Sequence, residues 1–317
     1  MAITLTVLKY IIALDTHRNF VKAAEACSVT QPTLSTAIRN FENELDVMIF
    51  DRSSHPVSPT LLGEKIITMA RKTISSAEQI EEFIAGTRGE DKGEFSLGIL
   101  PTIAPYILAD FLHYMEKNHS GIRLKVEELR TGPAIRKLQN AKLDAVIMST
   151  PLEENKLLEI PLYHEKFMAY VSPSDPLSKS EEIPVEALAT ERLWLMEEGH
   201  CLRNQVMNFC HIRDNAQFRY QAGSMITLID IVDKTGGYTI IPQLHVGLLS
   251  EERRKNLHEI SGQQGDCPKC VPNREISLVV REDYIRERML NIIAGAVKSI
   301  IPKEMLDDRL KKFSIKI

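Results

Sequence analysis

Thr30-Gln31-Pro32-Thr33-Leu34-Ser35-Thr36-Ala37-Ile38-Arg39-Asn40-Phe41-Glu42 reads as a helix that carries its own start signal. Thr30 is a good cap, because its hydroxyl can accept from an otherwise unpaired N–H of the first turn. Pro32 falls where a missing N–H costs nothing. Leu34, Ala37, Ile38, Phe41 and then Leu45 recur at helical spacing and predict a buried face. That leaves Gln31, Thr33, Ser35, Thr36 and Arg39 outside, with Pro32 at the entry. These side chains are rich in donors that could reach phosphates or base edges.

Working outward, Leu5, Leu8, Ile11 and Ile12 make the apolar face of a first helix, and Asn19 can cap a second that carries Phe20, Ala23, Ala24 and Cys27. The segment Asp51 to Pro59, with Arg52 and two prolines, predicts a wing. Ala23-Ala24, Thr30 to Ser35 and Ile38 to Glu42, in that order, resemble the LysR-type transcriptional regulators. The resemblance implies a winged helix-turn-helix domain over residues 1–59 and a double-stranded DNA operator. The contacts it implies are Gln31, Pro32, Thr33, Ser35, Thr36, Arg39 and Arg52. Residues 1–59 hold five Lys/Arg against six Asp/Glu, and His55-Pro56 stands where many relatives place a basic residue. Affinity is therefore expected from a few placed contacts and multivalency rather than a general positive field.

Thr60 opens an amphipathic stretch to about Thr87. Ile66, Ala70, Thr73, Ala77, Ile80 and Ile84 alternate by four and three, the pattern of a heptad seam. Such a helix, roughly 40 Å long at 1.5 Å per residue, exceeds what one small domain can cover. Residues 60–92 are therefore expected to be a dimerisation helix ending in a hinge at Gly86 to Gly93, polar and rich in glycine.

From residue 93 to 317 short apolar strands alternate with helices, the pattern of an α/β fold with an open, mostly parallel sheet. The family resemblance implies a two-lobed, type-2 periplasmic-binding-protein-like regulatory domain. Lobe I is expected at about 93–165 and 273–302, and lobe II at about 166–272. Ligands in such sheets lie at strand C-termini, between the lobes.

In the second lobe lies Gly199-His200-Cys201-Leu202-Arg203-Asn204-Gln205-Val206-Met207-Asn208-Phe209-Cys210. Leu193 to Met196 reads as a strand before it, and Leu202, Val206 and Phe209 as a helix face. Cys201 then falls in a first helical turn, where free N–H groups and the macrodipole favour a thiolate. Arg203 and a protonated His200 would add to that effect. Two cysteines that merely pack are the alternative, since free cysteine is often buried as a small hydrophobe.

Within the LysR family, His-Cys-Leu-Arg with a second cysteine nine residues after the first resembles the hydrogen-peroxide sensors. That resemblance makes Cys201 the peroxidatic and Cys210 the resolving cysteine, joined by a reversible disulfide. His200, Arg203, Thr102 and Thr131 become their pocket. Asn204 departs from the acidic residue often found after the arginine. The implied partners are hydrogen peroxide, a cellular dithiol reductant, RNA polymerase, and copies of the chain as a homodimer assembling to a tetramer. Two alternatives stay open: a LysR-type regulator that responds to a small metabolite in the cleft, and a thiol peroxidase, which would have little use for the N-terminal domain.

Composition sets the outer bounds. The chain has 317 residues, a net charge of -4 and a pI of about 6.2, so it has no bulk basic signature. No apolar run reaches membrane-spanning length. Five cysteines, an odd number, suggest a reducing cytoplasm, where a disulfide is transient, catalytic or sensory. Cys27 is expected to pack in a core, and Cys267-Pro268-Lys269-Cys270 to sit in a surface loop. No cofactor and no metal are called for.

Overall fold

The structure is a computed structural model and describes residues 3–87, 92–152, 154, 156–188, 192–210, 221–264, 267–284, 286–306 and 314–315. It forms two compact units. One comprises Met1–Gly93 with the short segments Gly121–Arg123 and Gln139–Lys142; the other comprises Glu94–Ser120, Leu124–Leu138 and Leu143–Ile317.

In the first unit, α1 (Leu5–His17), α2 (Phe20–Ala26) and α3 (Gln31–Glu44) precede a two-stranded antiparallel wing, β1 (Phe50–Asp51) and β2 (Ser58–Pro59). Asn19 Oδ1 accepts from the N–H groups of Val21 and Lys22 at 2.9 and 3.1 Å, and Thr30 Oγ1 from that of Thr33 at 3.4 Å. Leu34, Ile38 and Phe41 enter one core with Ile11, Leu14, Ala23 and Phe50, and Cys27 packs against its edge. Glu42 ties the wing to α3, accepting from the N–H groups of Ile49 and Phe50 and from Arg52.

The long helix α4 (Leu61–Thr87) starts where Thr60 Oγ1 accepts from the Gly63 N–H at 2.9 Å. Gly63 passes so close to the wing that a Cβ there would lie 2.0 Å from the Ile49 carbonyl oxygen, so only glycine fits. Of the expected seam, Thr73, Ile80 and Ile84 are exposed, but Ala70 is not. Ala70 is only 2% exposed and lies in the core with Ile67 and Ile74, and Ile66 packs beside them. The fully outward stripe keeps Thr73 and Ile80 and adds Met69, Ser76 and Phe83, spaced four, three, four and three, with Ile80 64% and Phe83 73% exposed.

The second unit is built on one eleven-stranded sheet. Its main path runs β4-β3-β5-β12-β11-β6-β10-β8-β9. The half that begins the unit contains β3 (Gly93–Ile99), α5 (Ala104–Asn118), β4 (Ile122–Glu128), α6 (Thr131–Gln139) and β5 (Ala145–Thr150). The other half contains β7 (Glu182–Pro184), β8 (Leu193–Met196), α7 (Cys201–Phe209), β9 (Gln221–Ala222), α8 (Met225–Thr235), β10 (Tyr238–Pro242), α9 (Glu251–Arg254) and β11 (Leu257–Gln264). The chain then returns through β12 (Cys267–Arg281) to α10 (Glu287–Ile300).

Two fifteen-residue strands serve both halves. β6 (Leu157–Val171) and β12 pair antiparallel from Asn273↔Lys166 to Arg281↔Leu157, with a register shift between Ile276 and Ser277. The sequence pattern places a strand only from Phe167, and another only from Glu275. Polar and proline residues, such as Glu159 and Pro161, interrupt the apolar alternation that would reveal the rest. The sheet is consequently more antiparallel than expected at its centre. Cys267 and Cys270 belong to β12, paired with Gln264 and Gly262, rather than to a loop; their side chains lie outside the described residues.

Candidate functional site

Cys201 is the first residue of α7, the helix that follows β8 after the turn Glu197 to His200. Gly199 has φ +90°, a left-handed value that favours glycine, and a Cβ there would come 3.4 Å from Arg130 Cδ. This turn brings the start of α7 onto residues of the opposite half-sheet. Thr102, in the turn after β3, and Thr131, first residue of α6, lie beside Cys201 and act with the Leu202 N–H to lower its thiol. Thr102 is only 4% exposed, and Thr131 Oγ1 is buried with no hydrogen-bond partner.

The nearby cation is Arg274, not Arg203. Arg203 stands two residues along α7, on the far side of the helix, and donates to the Met196 carbonyl at 3.2 Å. Arg274, fully buried on β12, donates from Nε and Nη2 to Glu165 Oε1 at 2.8 and 2.6 Å. It also reaches the Thr102 carbonyl at 2.9 Å and its hydroxyl at 3.4 Å.

The electrostatic result reverses a sequence expectation. Burial pushes the Cys201 thiol above its ordinary value, and Arg274, Thr102, Thr131 and the Leu202 N–H offset this only in part. Although the residue as a whole is half-buried, protein surrounds the sulfur closely enough for desolvation to dominate. His200 lends no charge. Burial, then the Arg130 cation, holds its imidazole below the usual value, and its Nε2 lies 3.8 Å from Glu197 Oε1 without a hydrogen bond. Arg130 pairs with the same Glu197.

Cys210 caps the other end of α7, its N–H bonded to the Val206 carbonyl at 3.0 Å. Its thiol packs against the core of this half, and burial pushes it up to about 12. Both cysteines are free. Leu202, Val206, Met207 and Phe209 anchor the helix between them, with Phe209 stacked on Phe167 at 5.5 Å.

Arg274, Glu165, Gln205 and Ser149 were missed in the sequence, and for the first two a signal existed. Tyr163, Glu165, Phe167, Ala169 and Val171 share one strand face, as do Arg274, Ile276, Leu278 and Val280. A charge in each apolar alternation marks a buried ion pair, and the two residues are direct register partners. Gln205, one helical turn after Cys201, donates to Ser149 Oγ at 2.6 Å and leaves its own Oε1 buried without a partner. No local pattern announces that contact. Among the described residues no group of three or more His, Cys, Asp or Glu side chains is placed to hold a metal ion.

In the first unit Gln31, Pro32, Thr33, Thr36 and Arg39 are exposed on α3, and Ser35 is half-buried. Arg52, expected as a DNA contact in the wing, has partners within its own unit. It pairs with Glu42 at 2.7 Å and lies 5.5 Å over the Phe20 ring, so its charge holds the wing to the helices. No helix among the described residues is long and apolar enough to cross a membrane.

Residues 5–64 match the lysR family of bacterial regulatory helix-turn-helix proteins, and residues 88–294 the LysR substrate binding domain. The DNA-binding transcriptional dual regulator OxyR of Escherichia coli K12 is 33% identical over 294 residues, covering 92% of this chain and 94% of the relative. The hydrogen peroxide-inducible genes activator of Haemophilus influenzae is 30% identical over 303 residues, covering 93% and 97%. A full-length OxyR variant from Pseudomonas aeruginosa superposes with a TM-score of 0.78 at 29% identity, over 93% of this chain and 97% of that one. A hydrogen-peroxide-bound OxyR mutant from Corynebacterium glutamicum does so with 0.61 at 27% identity, over 99% of each chain. With both of its characteristic parts matched in order along one chain, the protein belongs to the LysR-type transcriptional regulators.

Proposed function

We propose that this regulator responds to hydrogen peroxide through Cys201 and Cys210. The observation that carries the reading is a cysteine in the first turn of a helix beside the buried Arg274–Thr102 pair and the buried, unpartnered Thr131 hydroxyl, all of which favour its thiolate. Peroxide is small and neutral, so its recognition rests on hydrogen bonds and on charge placed where the leaving oxygen becomes anionic. The Cys201 thiolate attacks one peroxide oxygen, the O–O bond breaks, and hydroxide leaves with a proton to become water. The product is a sulfenic acid at Cys201. The Cys210 thiolate then attacks that sulfur, the S–O bond breaks, a second water leaves, and a disulfide forms. A cellular dithiol returns both cysteines to thiols.

Along a regular helix nine residues span about 13.5 Å, whereas a disulfide needs Cα atoms within about 7 Å. The second step therefore requires α7 to unwind, which also frees the Cys210 thiol from its apolar packing. We assign DNA binding to residues 1–59, dimerisation and hinge to 60–92, and redox sensing to 93–317. The paired heads of a homodimer, assembling to a tetramer, meet operator half-sites whose spacing the oxidised lobe resets, with RNA polymerase as the eventual contact. The deciding experiment is peptide-resolved mass spectrometry after brief exposure to peroxide. Sulfenic acid should accumulate at Cys201 in Cys210→Ser, and a Cys201–Cys210 bridge in the parent chain. Equal modification of all five cysteines, or none at Cys201, rules the reading out in favour of a cleft-bound metabolite.

A further inference from the structure

We infer that Glu165 is a positioning residue that acts on Cys201 through Arg274, holding the guanidinium in place while withholding part of its positive field from the sulfur. The inference rests on Cys201 being the reactive thiol. Arg274 and Glu165 are both fully buried and face each other across the central strand pair at 2.6 Å. The second carboxylate oxygen of Glu165 accepts from the Leu244 N–H at 3.3 Å. Both oxygens therefore face donors, which a carboxylate satisfies and an amide cannot without turning its NH2 group toward one of them.

The pair is anchored from both halves of the sheet, since Arg274 grips Thr102 on one side and Glu165 takes Leu244 on the other. Three groups that can become anions share this cation: Cys201 on α7, Tyr106 on α5 and Tyr163 on β6. His245, which follows β10, packs on Tyr106 and is held neutral by burial. A cation already matched by a carboxylate stabilises a second anion less than a free one would. Burial is the main reason the Cys201 thiol lies above its ordinary value, and Glu165 adds to it by limiting how far Arg274 can offset that burial. Its carboxylate sets how readily that thiol becomes reactive.

The test is the pH profile of Cys201 alkylation by iodoacetamide in the full-length chain, read peptide by peptide. In Glu165→Gln the inflection should move down by about half a unit to one unit, with the rate at neutral pH about three- to tenfold higher. Circular dichroism confirms that the variant is folded. An unchanged or higher inflection overturns the inference. Should Glu165→Gln fail to fold, the double variant Glu165→Gln/Arg274→Met removes both buried charges together, an exchange that cores often tolerate. Its inflection should stay near that of the parent chain. A large rise there would mean that Arg274 acts on the thiol undiminished, and the inference falls. Alkylation does not involve peroxide, so these outcomes are independent of whether Cys201 senses it.

Discussion

Gln205 donates its Nε2 amide to the Ser149 hydroxyl across 2.6 Å, tying the helix that carries Cys201 to the end of β5 in the opposite half of the sheet. Ser149 gives its own proton to the Glu275 carbonyl at 3.2 Å, so its oxygen must act as acceptor toward the amide. The orientation of Gln205 is thereby fixed. Any unwinding of α7 toward Cys210 has to break this bond.

In the proposed switch, Ser149→Ala removes that tether from the reduced form alone. A buried hydrogen bond is worth about 1 kcal/mol, which for a two-electron couple is about 20 mV. The Cys201–Cys210 potential is expected to become more negative by that amount, because the reduced form loses stability and the bridge does not. Equilibration in dithiothreitol buffers with mass-spectrometric counting measures it. A potential that shifts the other way would show that α7 keeps this contact on oxidation.

What was legible in the sequence divides along a physical line. The α3 cap, the apolar face behind Leu34 and Ile38, and the start of α7 at Cys201 were readable because each depends on neighbours within a turn or two. Thr102 and Thr131 could be placed only through the family resemblance. The charge beside Cys201 was assigned to Arg203, adjacent in sequence, whereas the fold supplies Arg274 from a strand that returns much later. Helix geometry turns a residue at i+2 away from i, a constraint that alone argues against Arg203. The expected thiolate failed for a related reason. Local dipoles and cations can be read from sequence, but the depth of burial that opposes them cannot.

His245 provides a pH test of the folded state. Tyr106 and His245 Nδ1 are hydrogen-bonded at 3.0 Å, and burial lowers the imidazole to about 4 from an ordinary value of 6.5. Between those values the unfolded chain binds a proton that the folded chain refuses, so stability falls as pH drops from about 6.5 toward 4. The loss is on the order of 3 kcal/mol once complete, below the folded value. Urea titrations at pH 7 and pH 4.5 should show it in the parent chain, and a smaller change in His245→Asn. Equal pH dependence in both chains would exclude His245 as the source.

Arg39 and Arg52 separate recognition from architecture. Arg39→Ala is expected to weaken operator binding and to reduce the slope of log affinity against log salt by about one, the mark of one lost phosphate contact, with no change in melting temperature. Arg52→Ala breaks the Glu42 pair and the stacking on Phe20, so its main effect is a destabilisation of up to about 1 kcal/mol. Fluorescence anisotropy at several salt concentrations, set beside thermal melts, distinguishes the two. A loss of salt slope confined to Arg52→Ala would invert the assignment.

The corrected stripe on α4 gives the assembly prediction its form. Ile80 and Phe83 are large, apolar and mostly exposed, four and three residues along from Ser76 and Ile80 respectively, as a self-pairing helix requires. Ile80→Asp/Phe83→Asp would bury like charges against their copies across a two-fold seam, at a cost of several kcal/mol. The variant should sediment as a monomer at micromolar concentration while the first unit keeps its cooperative melt. Ala70→Asp makes the contrast, because Ala70 lies inside the core with Ile67 and Ile74 and a carboxylate there has no partner. That substitution should abolish the melt of the first unit rather than merely separate two folded copies. A dimer that survives both charges at Ile80 and Phe83 would move the interface elsewhere. An Ala70→Asp chain that stays folded but monomeric would restore the seam through Ile66, Ala70 and Ala77.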